Sequence, residues 1–284
     1  MKTPKRMEPL IQDGFVDEVI RQLMSGKEAS VYVVRCGTEI RCAKVYKEAN
    51  KRSFRQSTDY TEGRKVKNSR RARAMEKGTR YGRKAQEEAW QNAEVDALFR
   101  LAAAGVRVPK PYHFHEGVLL MELLTDSDSD GNAAPRLNDL ALTAELAREY
   151  HRLLMTQIVR MLCAGIIHGD LSEYNVLVDS TGPVIIDLPQ AIDASANNQA
   201  CQMLLRDVEN MKVYFGQFAP ELLSTQYGME IWSLYQSGQL LPESMLTGHF
   251  EQIDKPVDLN SVMREINDTL KEEEARKRYR ALHS

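Results

Sequence analysis

Four cysteines in 284 residues, Cys36, Cys42, Cys163 and Cys201, show no C-x-x-C spacing and no pairing pattern. Their scarcity excludes a disulfide scaffold and predicts reduced, packed thiols of a cytoplasmic protein. No apolar run approaches the length that spans a bilayer, so no membrane partner is expected. The opening Met1-Lys-Thr-Pro-Lys-Arg6 is not followed by an apolar stretch, so no signal peptide is expected either. Net charge is only −2, and the chain as a whole carries no excess that calls for a polyanion. No internal repeat is present. What remains is ordinary: 43% hydrophobic and 27% charged residues place the chain among globular proteins. Its length suits one two-lobed domain or two small ones, with a sizeable core.

The pattern along the chain alternates sheet and helix signals. Phe15, Val16, Val19, Ile20 and Leu23 fall at helical spacing and predict a short amphipathic helix. Ser30–Val34 and Ile40–Tyr46 read as strands joined by a turn at Cys36-Gly37-Thr38. Residues 47–85 then lose periodicity and carry 14 Lys/Arg against 4 Asp/Glu, which predicts a mobile basic loop. A helix is predicted over Gln86–Ala103, with Trp90, Ala93, Ala97, Leu98 and Leu101 on one face and Gly105 as its C-terminal stop. Pro109 and Pro111 lead into a strand pair whose second member is Val118–Leu124. The polar run Thr125–Gly131 predicts a boundary between lobes, 1–124 and 125–284. Beyond it come an apolar-striped helix over Ala144–Cys163, strands at Val176–Val178 and Val184–Ile186, a helix near Gln199–Phe215 and a charged helical tail over Leu259–His283.

The chemistry concentrates in His168-Gly-Asp-Leu-Ser-Glu-Tyr-Asn175, followed by Val184-Ile-Ile-Asp187. The spacing is H-x-D-L-x-x-x-N with a second acid on the next apolar run, as in a kinase catalytic loop. Phosphoryl transfer needs one carboxylate at the acceptor hydroxyl, and an amide and a second carboxylate on a metal–ATP complex. Asp170 is then the expected base, and Asn175 and Asp187 the expected ligands of Mg²⁺ or Mn²⁺, with Asp187 also counted as catalytic. A lone H-x-D would read as a solvated turn; the placed Asn and second Asp argue against that.

The remaining candidates lie upstream. Met24-Ser-Gly-Lys-Glu-Ala-Ser-Val31 sits where a glycine-rich phosphate loop belongs, although only Gly26 keeps a glycine. Gly26 would let backbone N–H groups approach phosphate oxygens, with Ser25 and Lys27 as further donors. Taken alone, the segment reads as an ordinary hairpin turn. Lys44, on the next strand, would pair with ATP phosphates and with a helix glutamate. Of Glu87, Glu88 and Glu94, only Glu94 shares the inward face with Trp90 and Leu98. Met121-Glu-Leu-Leu124 ends the last strand of the first lobe, where Glu122 C=O and Leu124 N–H would read adenine and Met121 would be gatekeeper. Gly169 replaces the arginine of H-R-D, so a switch based on a phosphate at that arginine is not expected. Ala219-Pro220-Glu221 spells A-P-E, but the packed helix before it does not look like an activation segment. Asp207 on that helix either hydrogen-bonds the catalytic-loop backbone or is an ordinary helix charge.

Ser25-Gly-Lys-Glu-Ala-Ser-Val-Tyr32, His168–Asn175 and Ile186-Asp-Leu-Pro-Gln190 together resemble the RIO family of atypical serine protein kinases. The resemblance covers roughly residues 12–215. It implies an α+β, two-lobed protein-kinase-like fold with a trimmed C-lobe that lacks the usual activation segment. It also implies a flexible loop after the third strand, matching residues 47–85, and ATPase activity beside kinase activity. In some members the metal-binding aspartate, here Asp187, accepts phosphate. Eukaryotic and archaeal members serve small-subunit ribosome maturation, and one branch carries an N-terminal winged helix for which this chain has no room. The short N-terminus and the absence of a long tail resemble a bacterial-type member.

Two other readings differ in class. Small-molecule phosphotransferases of the aminoglycoside or choline type also use H-G-D-x-x-x-x-N, but with other residues inside the loop and an acidic insert for a cationic substrate. An ATP-gated assembly factor would bind RNA or a ribosomal particle through residues 47–85. That stretch has a surplus of ten positive charges, 14 minus 4, and would steer an acidic protein or RNA toward the nucleotide.

Overall fold

Two runs of alternating apolar residues meet at a glycine and build the centre of a sheet. β1 (Glu18–Ser25), β2 (Ala29–Cys36) and β3 (Glu39–Tyr46) form an antiparallel meander. The β2–β3 register runs from Ala29 opposite Tyr46 to Cys36 opposite Glu39. The structure, a computed structural model, describes residues 3–26, 28–47, 80–126 and 133–250, and of residues 80–90 only the backbone. The chain divides into two units, Met1–His249 and Phe250–Ser284; the tail helix expected over Leu259–His283 lies outside the described residues.

Residues 18–25 form the edge strand β1, not a helix. Val19 and Ile20 are β-branched and favour extended backbone. The free edge of β2 offers them a ladder of hydrogen bonds. The helix comes earlier instead, as α1 (Glu8–Gln12). Its Leu10, with the flanking Met7 and Val16, packs against Val34, Ala43, Val118 and Leu120 of the sheet.

β4 (Pro111–His115) and β5 (Val118–Glu122) complete the five-stranded sheet, in the order β1-β2-β3-β5-β4. Their two-residue turn is Glu116-Gly117, both at positive φ (44° and 77°), as a type I′ hairpin requires. α2 (Arg80–Ala103) begins six residues inside the stretch expected to be loop. A seeded helix extends at little cost through residues such as Lys84 and Ala85. It stops as expected at Gly105, whose φ is 73°. There Val106 N–H reaches Leu101 C=O at 3.0 Å and Gly105 N–H reaches Ala102 C=O at 3.2 Å, the Schellman pattern. The rest of the basic stretch, residues 48–79, lies outside the described residues.

The helical part follows the predicted pattern. α3 (Ala144–Cys163) starts at Thr143, whose hydroxyl accepts from Leu146 N–H at 3.2 Å. β6 (Ile166–Ile167), β7 (Val176–Asp179), β8 (Gly182–Ile185) and β9 (Ile192–Asp193) form two small two-stranded sheets. α4 (Ala200–Gly216) packs against β6 and α3, and α5 (Tyr227–Gln236) packs on α3 and α4. One hydrophobic cluster runs from Tyr46, Leu98 and Leu119 through Leu154 and Leu162 to Met211 and Phe215. Arg107 adds a polar pin. Its guanidinium holds Glu122 of β5 (2.9 and 3.2 Å) and also Asp179 at the end of β7. All four cysteines are free, but only Cys42 is buried; Cys163 is exposed, so the expectation of packed thiols holds for one of them.

His151 on α3 gives the fold an acid sensitivity. It is 2% exposed, lies edge-on to Phe215 and against Tyr227, and burial lowers its pKa to about 4. The folded chain therefore keeps it neutral. Above its ordinary value of 6.5 this costs nothing. Between 6.5 and 4 the unfolded chain takes up a proton that the folded chain refuses, so stability falls with pH, by about 3 kcal/mol in all. Urea melts at pH 7.5 and 4.5 should show this loss, and His151→Phe should reduce it by that amount. Identical pH slopes in parent and variant would refute the assignment.

Candidate active site

The segment between β6 and β7 is held by other parts of the chain on both sides. His168 is 2% exposed; its Nε2–H donates to Ile186 C=O at 3.0 Å, and its Nδ1 accepts from Asp170 N–H at 3.3 Å. That pair of bonds fits only the neutral Nε2–H tautomer. Gly169 takes φ 80°, a region open to glycine and costly for arginine. The missing arginine of H-R-D thus has a backbone reason that the sequence alone did not give. From below, Asp207 of α4 accepts from Gly169 N–H (2.8 Å) and Leu171 N–H (2.9 Å). Arg206 donates to Gly169 C=O, and Asn210 to Leu171 C=O at 2.9 Å. Of the two sequence readings of Asp207, the backbone anchor is the one observed. Burial pushes its carboxyl above the usual range, while the two N–H donors and Arg206 pull it back.

Asp170 leaves this frame with its carboxylate on the exposed side of the loop. Asn175 Nδ2 donates to Asp170 C=O at 2.8 Å, which keeps Asn175 Oδ1 as an acceptor. Ile186 N–H in turn donates to Asn175 C=O at 2.9 Å. Asp187 follows at φ 64°, one of two non-glycine residues at positive φ among the described residues. Such a conformation costs about 1–2 kcal/mol and is held here by its neighbours. Residues 188–199 then lead directly to α4, with β9 pairing back to β6, so no long activation segment intervenes. Ala219-Pro220-Glu221 opens a 3-10 turn (Pro220–Ser224), where Glu221 pairs with Arg148 of α3 at the surface.

Across from this loop, β3 supplies the Lys44 ammonium and α2 the Glu94 carboxylate. Lys44 Nζ lies 2.5 Å from Glu94 Oε1 and 3.4 Å from Asp187 Oδ1. Burial alone would lower the Lys44 pKa, but the two carboxylates outweigh it and hold the ammonium above its usual value. Glu94 is 5% exposed on the inward face of α2 beside Val95 and Leu98. Glu87, Glu88 and Trp90 lie where only the backbone is described.

These groups open onto one cleft of about 560 Å³, lined by Gly26, Lys44, Glu94, Met121, Glu122, Leu124, Asn175 and Asp187 among others. Met121 lies opposite Cys42 of β3, and Glu122 closes β5. Leu124 C=O accepts from Ala134 N–H at 2.9 Å. Lys27 lies outside the described residues. Gly26 N–H bonds Ala29 C=O at 2.9 Å and so closes the turn. Lys47, read from sequence as the first loop residue, clamps that turn. Its Nζ donates to Ser25 Oγ (2.9 Å) and Gly26 C=O (2.6 Å). Ser25 Oγ also lies 3.2 Å from Ser30 Oγ. No sequence spacing marks Lys47; only the hairpin brings residues 25 and 47 together.

Asn175 and Asp187 offer one amide and one carboxylate oxygen, a hard donor set that suits Mg²⁺ or Mn²⁺. Among the described residues no group of three or more His, Cys, Asp or Glu is arranged to hold a metal alone.

The RIO domain family model matches residues 30–227. The chain belongs to the RIO family. It is similar to the RIO-type serine/threonine-protein kinase Rio1 of Haloferax volcanii, 35% identical over 209 residues, covering 72% of this chain and 66% of that protein. The Rio1 protein of Methanocaldococcus jannaschii is 30% identical over 208 residues, covering 72% and 66%. The serine/threonine-protein kinase RIO1 of Chaetomium thermophilum is 30% identical over 228 residues, covering 76% and 42%. The chain therefore spans less than two thirds of the curated relatives it matches, and under half of some. As a RIO domain it has the expected mixed fold: an antiparallel sheet followed by helices, with the trimmed segment after Asp187. No helix among the described residues is long and apolar enough to cross a membrane.

Proposed function

We propose that this chain is an ATP-dependent serine/threonine protein kinase of the RIO type, using Mg²⁺ or Mn²⁺. The observation that carries the reading is the convergence of Lys44, Glu94, Asn175 and Asp187 on one cleft, with Asp170 tied to Asn175 at its rim. Residues up to Leu124 would act as one lobe and those after it as the other, with adenine against Met121–Leu124. Lys44, held by Glu94, would bind the α- and β-phosphates, and the Ser25–Lys27 turn would cover them. Asn175 and Asp187 would hold the cation, which neutralises charge on the phosphates. Asp170 would accept the proton of the acceptor hydroxyl as its oxygen bonds the γ-phosphorus and ADP leaves. RIO membership favours a protein hydroxyl over an aminoglycoside or choline acceptor. The finer partner readings, an acidic protein, RNA or a ribosomal particle at residues 47–85, rest on that stretch's charge, and a cytoplasmic setting on composition.

The test is transfer of the γ-phosphate from labelled ATP to protein acceptors, with ADP release measured in parallel. Within it, Lys44→Ala and Glu94→Ala should each weaken ATP binding. The double variant should be little worse than either alone, because each residue works through the other. Strict additivity would mean that the pair does not act as one anchor.

A further inference from the structure

Period-two alternation on β3 sets Tyr46 beside Lys44 on the strand face that looks toward α2. Tyr46 is 1% exposed, and the Lys44 ammonium lies 5.3 Å from its ring centroid. Its backbone is fixed from both sides. Tyr46 N–H donates to Gly117 C=O at 2.9 Å, and Arg6 donates to Tyr46 C=O at 2.8 Å. Phe114 meets the ring edge-on, with centroids 6.3 Å apart. The ring is therefore anchored, and its hydroxyl is carried into the interior.

Two buried side-chain oxygens here have no hydrogen-bond partner: Tyr46 Oη and Glu94 Oε2. Glu94 Oε1 already receives Lys44. A buried hydroxyl without an acceptor and a buried carboxylate oxygen without a donor are each costly, and unsatisfied groups of this kind are rare. Burial, and next the charge and hydrogen-bonding reach of Glu94, raise the phenol well above its ordinary pKa. The hydroxyl is thus a committed donor beside an oxygen that needs one.

The geometry points to Tyr46 as a positioning residue of the nucleotide anchor: its hydroxyl donates to Glu94 Oε2, so that Glu94 is held by Tyr46 on one oxygen and by Lys44 on the other. With only Lys44 to hold it, the carboxylate could turn about its last torsion and release the ammonium. With both donors in place, its plane is fixed and Lys44 stays over the phosphate site. Tyr46 touches neither nucleotide nor acceptor and acts through Glu94. The role rests on the nucleotide-anchor reading given above.

Full-length Tyr46→Phe, Glu94→Gln and the double variant test it, with Tyr112→Phe as the control for losing a tyrosine hydroxyl. Tyr112 stacks on Arg41, outside the residues that line the cleft. Calorimetric titration with Mg-ATP and steady-state kinetics are the readouts. Tyr46→Phe should weaken ATP affinity and raise KM about tenfold, within what one hydrogen bond to a charged group supplies, while kcat moves less. Its melting temperature should stay within a few degrees of the parent, because the ring remains. In the Glu94→Gln background the same change should add little. Unchanged ATP affinity, a lowered melting temperature with unchanged KM, or full additivity would each overturn the assignment. Lys44→Ala separates the two levels. If it too leaves ATP affinity intact, the anchor itself fails and Tyr46 with it; if it does not, a silent Tyr46→Phe rejects Tyr46 alone.

Discussion

Asp170→Asn should abolish nearly all phosphoryl transfer while leaving fold and ATP affinity close to the parent. The loop around Asp170 is held through its backbone, by Asp207, Arg206, Asn210 and His168, and by Asn175 on the Asp170 carbonyl. None of these contacts uses the Asp170 carboxylate. Asn is nearly isosteric, so its amide fits the same space without disturbing the frame. What it loses is the ability to take a proton from the acceptor hydroxyl, a step worth at least about a hundredfold in rate. Lys44, Glu94 and the 121–124 strand end are untouched, so nucleotide affinity measured by calorimetry should change little. Near-normal transfer in this variant would remove Asp170 from the mechanism.

The loop was legible because its residues are close in sequence. His168, Asp170, Asn175 and Asp187 fall within twenty positions, and their types and spacing carry the chemistry. The Lys44–Glu94 pair was legible for a different reason. Helical periodicity allows one of three nearby glutamates to face inward, and Glu94 does, 2.5 Å from Lys44. Helix limits were also readable where caps are local, as at Thr143 and Gly105. The failures lie where a distant partner decides. Val19 and Ile20 fit a helix in isolation, but the β2 edge draws them into β1. Lys47 looks like loop until the hairpin lays it on Ser25 and Gly26. Gly169 reads as a lost arginine until its φ of 80° shows why a side chain is disfavoured there. Tyr46 reads as a plain strand residue, and only its burial beside Glu94 reveals an unpaired hydroxyl.

The second large effect concerns Asp187. Its side chain is half exposed at the cleft, facing Lys44 at 3.4 Å, and it follows an isoleucine whose N–H is bonded to Asn175. Asn175 and Asp187 are therefore held together by backbone, whether or not a cation is present. Without the Asp187 carboxylate, one neutral amide oxygen remains, too weak a donor to hold a hard divalent ion against the phosphates. Asp187→Ala should thus lose the gain in ATP affinity that Mg²⁺ or Mn²⁺ confers, and with it turnover, by at least about a hundredfold, the scale of removing one charge-stabilising group. Alanine is disfavoured at a φ of 64°, so the loss could come from a distorted loop instead. Asp187→Asn controls for this, because asparagine accepts that backbone region more readily while lacking the charge. Both variants should bind ATP with equal, weak affinity in EDTA and in Mg²⁺. ATP binding that still tightens on adding Mg²⁺, together with persistent turnover, would show that Asp187 does not hold the metal.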